Sequence, residues 1–459
     1  MDLTLAELAS WCGGKVDPPQ AGALGIHGVS SDSRTIKAGE LFIAINGRNQ
    51  DGHRFIKYAA AVGAPAALAE RRPADIGTLP LILVKDVLKA LGDIAHGYRW
   101  RPPLFPWVAI TGSNGKTTAR ELLSLILGGR WKVRTSKRNW NNFVGLPLSM
   151  LDGPADAGAA VMEMGTSGPG EIARLREICV PTVAVVTSTG DTHLSGLGSS
   201  QGVAREKADI FGWLPPDGLA VYPGDDPNAD ILESKIPHRR VSFAASDCPA
   251  DVRAEDIEIS SGGSGFTVEG TRVFLPLLGR HNIGNCLAAM IAARHLGIPF
   301  AESAQAVRRA KPVPGRLQPV VAPSGIIILN DSYNANPNSL LAALKVLEEL
   351  PDERDSSRKI AIVGDMLELG RESRRLHRET GLTAGLMDLD AIFAVGPESA
   401  ALAEAAQVNV RLMVRHYPSV EALWLDLRKS LAPGDQVLVK GSRGMLMERV
   451  VAQLLDWFP

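Results

Sequence analysis

The sequence predicts an α/β protein of three domains: a small N-terminal α/β domain, a central doubly wound, mostly parallel sheet built around a phosphate loop, and a C-terminal Rossmann-like domain. Three observations predict this. At 459 residues the chain is too long for one ordinary core. Two proline-rich breaks, YRWRPPLFP at 98–106 and KPVPG at 311–315, interrupt it, because proline fixes φ and removes a backbone donor. Short β-branched runs alternate with amphipathic helical patterns through the middle and last thirds. The breaks set domains at 1–105, 106–315 and 316–459.

The middle block opens with an apolar strand at 107–110, a glycine turn and a helix from about 117 to 127. Further strands are expected at 159–164 and 182–187, with a helical pattern at 170–178 after the first and another at 201–214 after the second. The stretch 251–278, with GGSG at 262–265, reads as a hairpin. The last block places strands at 326–329, 360–363, 392–395 and 436–439, with helices at 339–350 and 420–430 between them. It lacks the G-x-G-x-x-G fingerprint of dinucleotide binding.

Composition narrows the function. Hydrophobic residues at 45% and charged residues at 22% let each domain bury a core. A net charge of -1 argues against a nucleic-acid binder, which must neutralise phosphates. No apolar run approaches the roughly 18 residues of a membrane span. The opening MDLTLAELAS has no leader character. Cys12, Cys179, Cys248 and Cys286 form no ligand spacing. A cytoplasmic monomer is expected.

The strongest motif is TGSNGKTT at 111–118, between a buried strand and a helix. Its glycines let backbone N–H groups turn toward phosphate oxygens at a helix N-terminus. Gly112, Ser113, Asn114, Gly115, Lys116, Thr117 and Thr118 would bind ATP, with Lys116 reaching the β/γ-phosphates and the Thr117 hydroxyl on Mg2+. The first glycine of the full pattern is replaced by Ile110. Glu163 ends an apolar strand at the sheet edge where ligands gather, and suits a hard cation; a solvated glutamate is the alternative. His193 follows another strand, although a lone histidine is usually structural. Lys207 shares a helical face with Val203, Ile210, Phe211 and Leu214. It either snorkels to water or, buried, keeps a neutral amine that reacts with carbon dioxide to give a metal-binding carbamate.

Taken in order, the loop, Glu163, His193 and Lys207 resemble the Mur ligase family. The likeness continues in LGRHNIGN at 278–285, PGR at 314–316, GDMLELG at 364–370 and KGSR at 440–443. RNWNNFVG at 138–145 and NDSYNANP at 330–337 resemble its D-alanyl-D-alanine-adding branch. The resemblance implies ligation of D-alanyl-D-alanine to UDP-N-acetylmuramoyl-tripeptide through an acyl phosphate, using ATP and two Mg2+ ions. Lys116, His193 and Lys207 would then be catalytic, and Thr117, Glu163, His193 and Lys207 would hold metal; His193 could instead take the amine proton. Asn282 would contact adenine, Asp331 the ribose and Arg316 the phosphates. Asn139 and Asn142 would lie near the acceptor, and Ser31, Asp32, Ser33 and Arg34 would bind the UDP moiety. Ser188 stands where the family often has asparagine. Lys440 and Arg443 could simply stabilise their loop. Another amino-acid-adding family member, a folylpolyglutamate synthase-like ligase and a nucleotide-dependent switch remain the alternatives.

Overall fold

A computed structural model describes residues 3–47, 50–137, 139–190, 192, 194–351 and 357–457. The central sheet has seven strands, all parallel, with Trp107–Thr111 an interior strand, third from one edge. Ala159–Glu163 pairs on one side of it and Val183–Val186 on the other. The strand order therefore reverses direction at Trp107–Thr111, and the crevice beyond its carboxyl end is where such sheets bind ligands. All five residues of this strand are buried, as expected of a sheet covered by helices on both faces. Ile110, fully buried in it, belongs to the core, which is why no loop glycine stands there.

A five-stranded sheet lies between Lys15–Asp17 and Leu81–Leu83 in the chain, parallel except for that outer pair. A six-stranded sheet runs from Gln318–Val321 to Gln436–Lys440, parallel except for the pairing of Gln318–Val321 with Ile327–Asp331.

Four local expectations change. The helix Val87–Arg99 runs through the first residues of the 98–106 break, because Arg99 is buried and its Nε donates to the Val180 carbonyl. The 201–214 helix stops at Ala208 and tightens into a 3-10 turn at Asp209–Phe211, which still buries Ile210 and Phe211. The 251–278 stretch is a three-stranded antiparallel sheet rather than one hairpin, with Val252–Arg253 extending the parallel sheet instead. Its glycines allow close strand approach: a Cβ on Gly263 would sit 2.4 Å from the Leu275 carbonyl oxygen. Two edge strands, Gln318–Val321 and Met413–Tyr417, were not expected, being short and largely exposed.

Candidate active site

The phosphate loop leaves the central strand and enters the helix Lys116–Leu127. A Cβ on Gly112 would lie 2.0 Å from Thr187 Oγ1, and one on Gly115, at φ 84°, 2.0 Å from Asn285 Oδ1. Glycine is therefore required at both positions. The loop is braced from the next strand end: Ser113 N donates to the Ser188 carbonyl at 2.8 Å and Asn114 N to Ser188 Oγ at 2.9 Å. Ser188 thus acts on the loop itself, a role its short side chain suits. Lys116 curls over the loop, its Nζ donating to the Gly112 and Ser113 carbonyls. Burial holds its pKa below the ordinary lysine value, against the opposing pull of Glu163.

Glu163, at the end of its strand, is 2% exposed. Its Oε2 accepts from Thr117 Oγ1 at 3.0 Å and faces Arg120 Nη1 at 3.4 Å, while Oε1 accepts from Asn141 Nδ2 at 2.9 Å. Its backbone N–H donates to Ser136 Oγ at 2.9 Å. Asn141, Arg120 and Ser136 were not foreseen. Asn141 lies inside the asparagine-rich stretch the sequence had flagged; the other two had no sequence signal, since only folding brings them to Glu163.

Lys207 is 2% exposed on the inward face of the helix Ser200–Ala208. Burial pushes its pKa well below the ordinary lysine value, and the nearby Lys116 ammonium adds to this, against an opposing effect of Glu206. Among the described residues, no hydrogen bond is made to its Nζ. His193 lies outside the described residues, as does Arg138.

A cavity of about 1550 Å3 opens here, lined by Gly112 through Thr118, Asn139, Asn142, Glu163, Lys207, Asn282, Arg316 and Asp331. Its size exceeds the ~300–1,000 Å3 of an ordinary single-ligand pocket. Within it, Asn142 Oδ1 accepts from the N–H groups of Val144 and Gly145, ordering the helix start. Asn282 Nδ2 donates to the Leu278 carbonyl at 2.8 Å. His281, also lining the cavity, has its pKa lowered to about 4 by burial, so its ring is neutral at pH 7. The Arg316 guanidinium lies 4.4 Å from the Tyr333 ring centroid. Asp331 accepts from Lys440 Nζ at 2.6 Å and from Leu317 N at 3.0 Å. Lys440 also donates to the Asn334 carbonyl, so it ties the segment after Ile327–Asp331 to the last strand rather than fixing its own loop, and it lines the cavity as well.

Ser31, Asp32, Ser33 and Arg34 do not line this cavity. They form a half-buried turn with Arg34 exposed, in which Arg34 pairs with Asp32 at 2.7 Å and holds that carboxyl at a pKa of about 2.

Three family domains match this chain: the Mur ligase family catalytic domain over residues 25–99, the Mur ligase middle domain over 110–293, and the Mur ligase glutamate ligase domain over 315–443. A Bacillus subtilis protein named UDP-N-acetylmuramoyl-tripeptide–D-alanyl-D-alanine ligase is 34% identical over 99% of this chain and 98% of its own length. The chain belongs to the Mur ligase family. A crystal structure of MurF from Acinetobacter baumannii superposes on this Mur ligase with a TM-score of 0.91 at 30% identity, covering 100% of this chain and 99% of that one. MurF ligase from Thermotoga maritima, solved in complex with ADP, gives 0.82 at 28% identity over 94% and 97%. Among the described residues, no helix of this Mur ligase is long and apolar enough to cross a membrane.

Proposed function

We infer that the chain catalyses the ATP-dependent ligation of D-alanyl-D-alanine to UDP-N-acetylmuramoyl-tripeptide, forming the pentapeptide precursor of peptidoglycan with ADP and phosphate. The observation that carries this reading is full-length likeness to ligases so named, joined to a phosphate-loop cavity built from the central and third sheets. The reaction serves wall synthesis and, through it, cell shape and division. Because it consumes ATP, its setting is the cytoplasm.

The terminal carboxylate of the tripeptide attacks the γ-phosphorus, a P–O bond forms, and the bond to the β-phosphate oxygen breaks as ADP leaves. The amine of the dipeptide then attacks the acyl carbon, forming the C–N bond. Phosphate departs with the electrons of the C–O bond, and the amine nitrogen loses its proton. His193 is a candidate to take it, or to hold metal instead. Lys116 and the loop N–H groups neutralise charge on the transferring group. Arg316 and Asn282 hold the nucleotide's phosphates and base, Asp331 the ribose, and Asn139 and Asn142 orient the acceptor. Residues 31–34 receive the UDP end.

The Thr117 hydroxyl and the Glu163 carboxylate, 3.0 Å apart at the cavity wall, are hard oxygen donors that fit Mg2+. A bound Mg2+ would offset phosphate charge during transfer. Among the described residues, no three His, Cys, Asp or Glu side chains gather to hold a metal. Lys207 lines the same cavity, and a carbamate on it would add an anion for a second ion: the neutral amine nitrogen would bond to the carbon of CO2 and lose a proton. Burial of Lys207 supports this step, since it favours the neutral amine.

The test is ADP release with UDP-N-acetylmuramoyl-tripeptide present, with and without D-alanyl-D-alanine, the product being weighed. Turnover should need both substrates and yield the pentapeptide. ADP release indifferent to both, with no adduct, would move the reading to a nucleotide-dependent switch.

A further inference from the structure

Asn114 of the phosphate loop and Asn336 of the third sheet's segment face each other as a reciprocal amide pair. Asn336 Nδ2 donates to Asn114 Oδ1 at 2.9 Å, and Asn114 Nδ2 donates to Asn336 Oδ1 at 3.4 Å. Both ends are anchored. Asn336 caps the helix Pro337–Glu349, its Oδ1 accepting from Ser339 N at 2.9 Å while its own N–H donates to Ser339 Oγ at 3.0 Å. The backbone of Asn114 is held by Ser188 and Thr187. A second contact lies alongside: Asn338 covers Gly190 so closely that a Cβ there would sit 2.3 Å from its Nδ2.

We propose that the Asn114–Asn336 pair is a positioning latch, holding the third domain on the phosphate loop while the acyl phosphate exists. The proposal rests on the ligase reading above. A neutral amide pair suits a contact that must form and release each cycle, since each bond contributes little net free energy and carries no buried charge. An amide donates through its nitrogen while accepting at its oxygen, so each side chain fills both roles across the pair, which a carboxylate cannot do. Its purpose is exclusion of water, which would otherwise hydrolyse the activated carboxyl.

The experiment is a double-mutant cycle on the full chain with Asn114→Ala and Asn336→Asp, reading ADP released per amide formed beside kcat and KM. Aspartate still caps the helix but cannot donate to Asn114; Asn336→Ser, also a cap, gives a second variant should the first fail to fold. Asn114→Ala, which loses both hydrogen bonds, should lower kcat about tenfold, and Asn336→Asp, which loses only the one donated by Asn336 Nδ2, about threefold. Each should also release several ADP per amide, and the double variant should be no worse than the poorer single. One ADP per amide in every variant, or single losses that multiply in the double, would overturn the latch. Wild-type ADP release that ignores both substrates would remove the ligase reading and the latch with it.

Discussion

The two junctions of the central sheet are built differently. Toward the first sheet, one continuous apolar core runs from Leu5, Leu8, Leu91 and Ile94 to Leu146, Leu148, Ile172 and Leu175. The helix Val87–Arg99 packs against Gly145–Leu151 and Glu171–Cys179 so closely that a Cβ on Gly92 would lie 2.9 Å from Ile178 Cδ1. Polar pins surround it: Arg134 Nη2 donates to the Tyr98 hydroxyl at 2.8 Å and Arg174 Nη2 to Asp93 Oδ1 at 3.0 Å. Toward the third sheet the contact is chiefly polar. There Leu278, with Leu194 beside it, joins the third core, while the cavity and the Asn114–Asn336 pair occupy much of the boundary. Apolar area once buried is costly to expose, whereas a wet polar boundary can open and close. The first junction is therefore expected to stay fixed and the second to open and close, which is where chemistry needing water exclusion belongs.

The largest contrast should come from Lys116→Met on the working side. The kcat should fall about 10^3-fold, by analogy with loss of a charge-stabilising donor, while the melting temperature barely moves; coupled ADP assays and thermal melts read both. Ile94→Ala on the fixed side should do the reverse. A loss of roughly 2–5 kcal/mol is expected from the cavity it leaves, with kcat retained in the folded fraction. Calorimetry should show the first and central sheets melting together, and separate transitions for them would break the comparison.

Lys207→Met joins the two kinds of effect. The folded pKa of Lys207 is depressed, so below its unfolded value the unfolded chain binds the extra proton and wild type is destabilised. The variant should be the more stable at pH 7, and that advantage should shrink as pH rises toward the ordinary lysine value. Urea titrations across pH measure it, and a gain independent of pH would contradict the assignment. Ligase activity should meanwhile be lost. The smallest effect is expected at Tyr333→Ala, which removes the ring beneath Arg316: KM for ATP should rise about threefold, the scale of a cation–π contact, with kcat nearly unchanged.

Much of the site was legible because its parts lie in short, local patterns. The phosphate loop is one contiguous string, and the i, i+4 spacing placed Lys207 among Val203, Ile210 and Phe211, all of which are buried. Glu163 was readable as the last residue of an apolar run. What was hidden depends on tertiary approach: Arg120 and Ser136 meet Glu163 only across neighbouring elements, and Asn114 meets Asn336 across 222 residues of chain. The GDMLELG stretch shows the same limit. Its Asp365 accepts from Ser399 N, and its backbone carbonyl accepts from Ser442 N, so the motif scaffolds the loop after the last strand. Nothing in its spacing reveals that partner.

The most direct test of the two-joint account is a pair of distances measured by spin labels at three exposed positions, Tyr58, Trp213 and Leu386, one on each sheet's segment. Each pair is measured with and without a non-hydrolysable ATP analogue and UDP-N-acetylmuramoyl-tripeptide. The account predicts that the 58–213 distance stays fixed while the 213–386 distribution shifts and narrows when both ligands bind. Equal movement in both pairs, or none in the second, would contradict it.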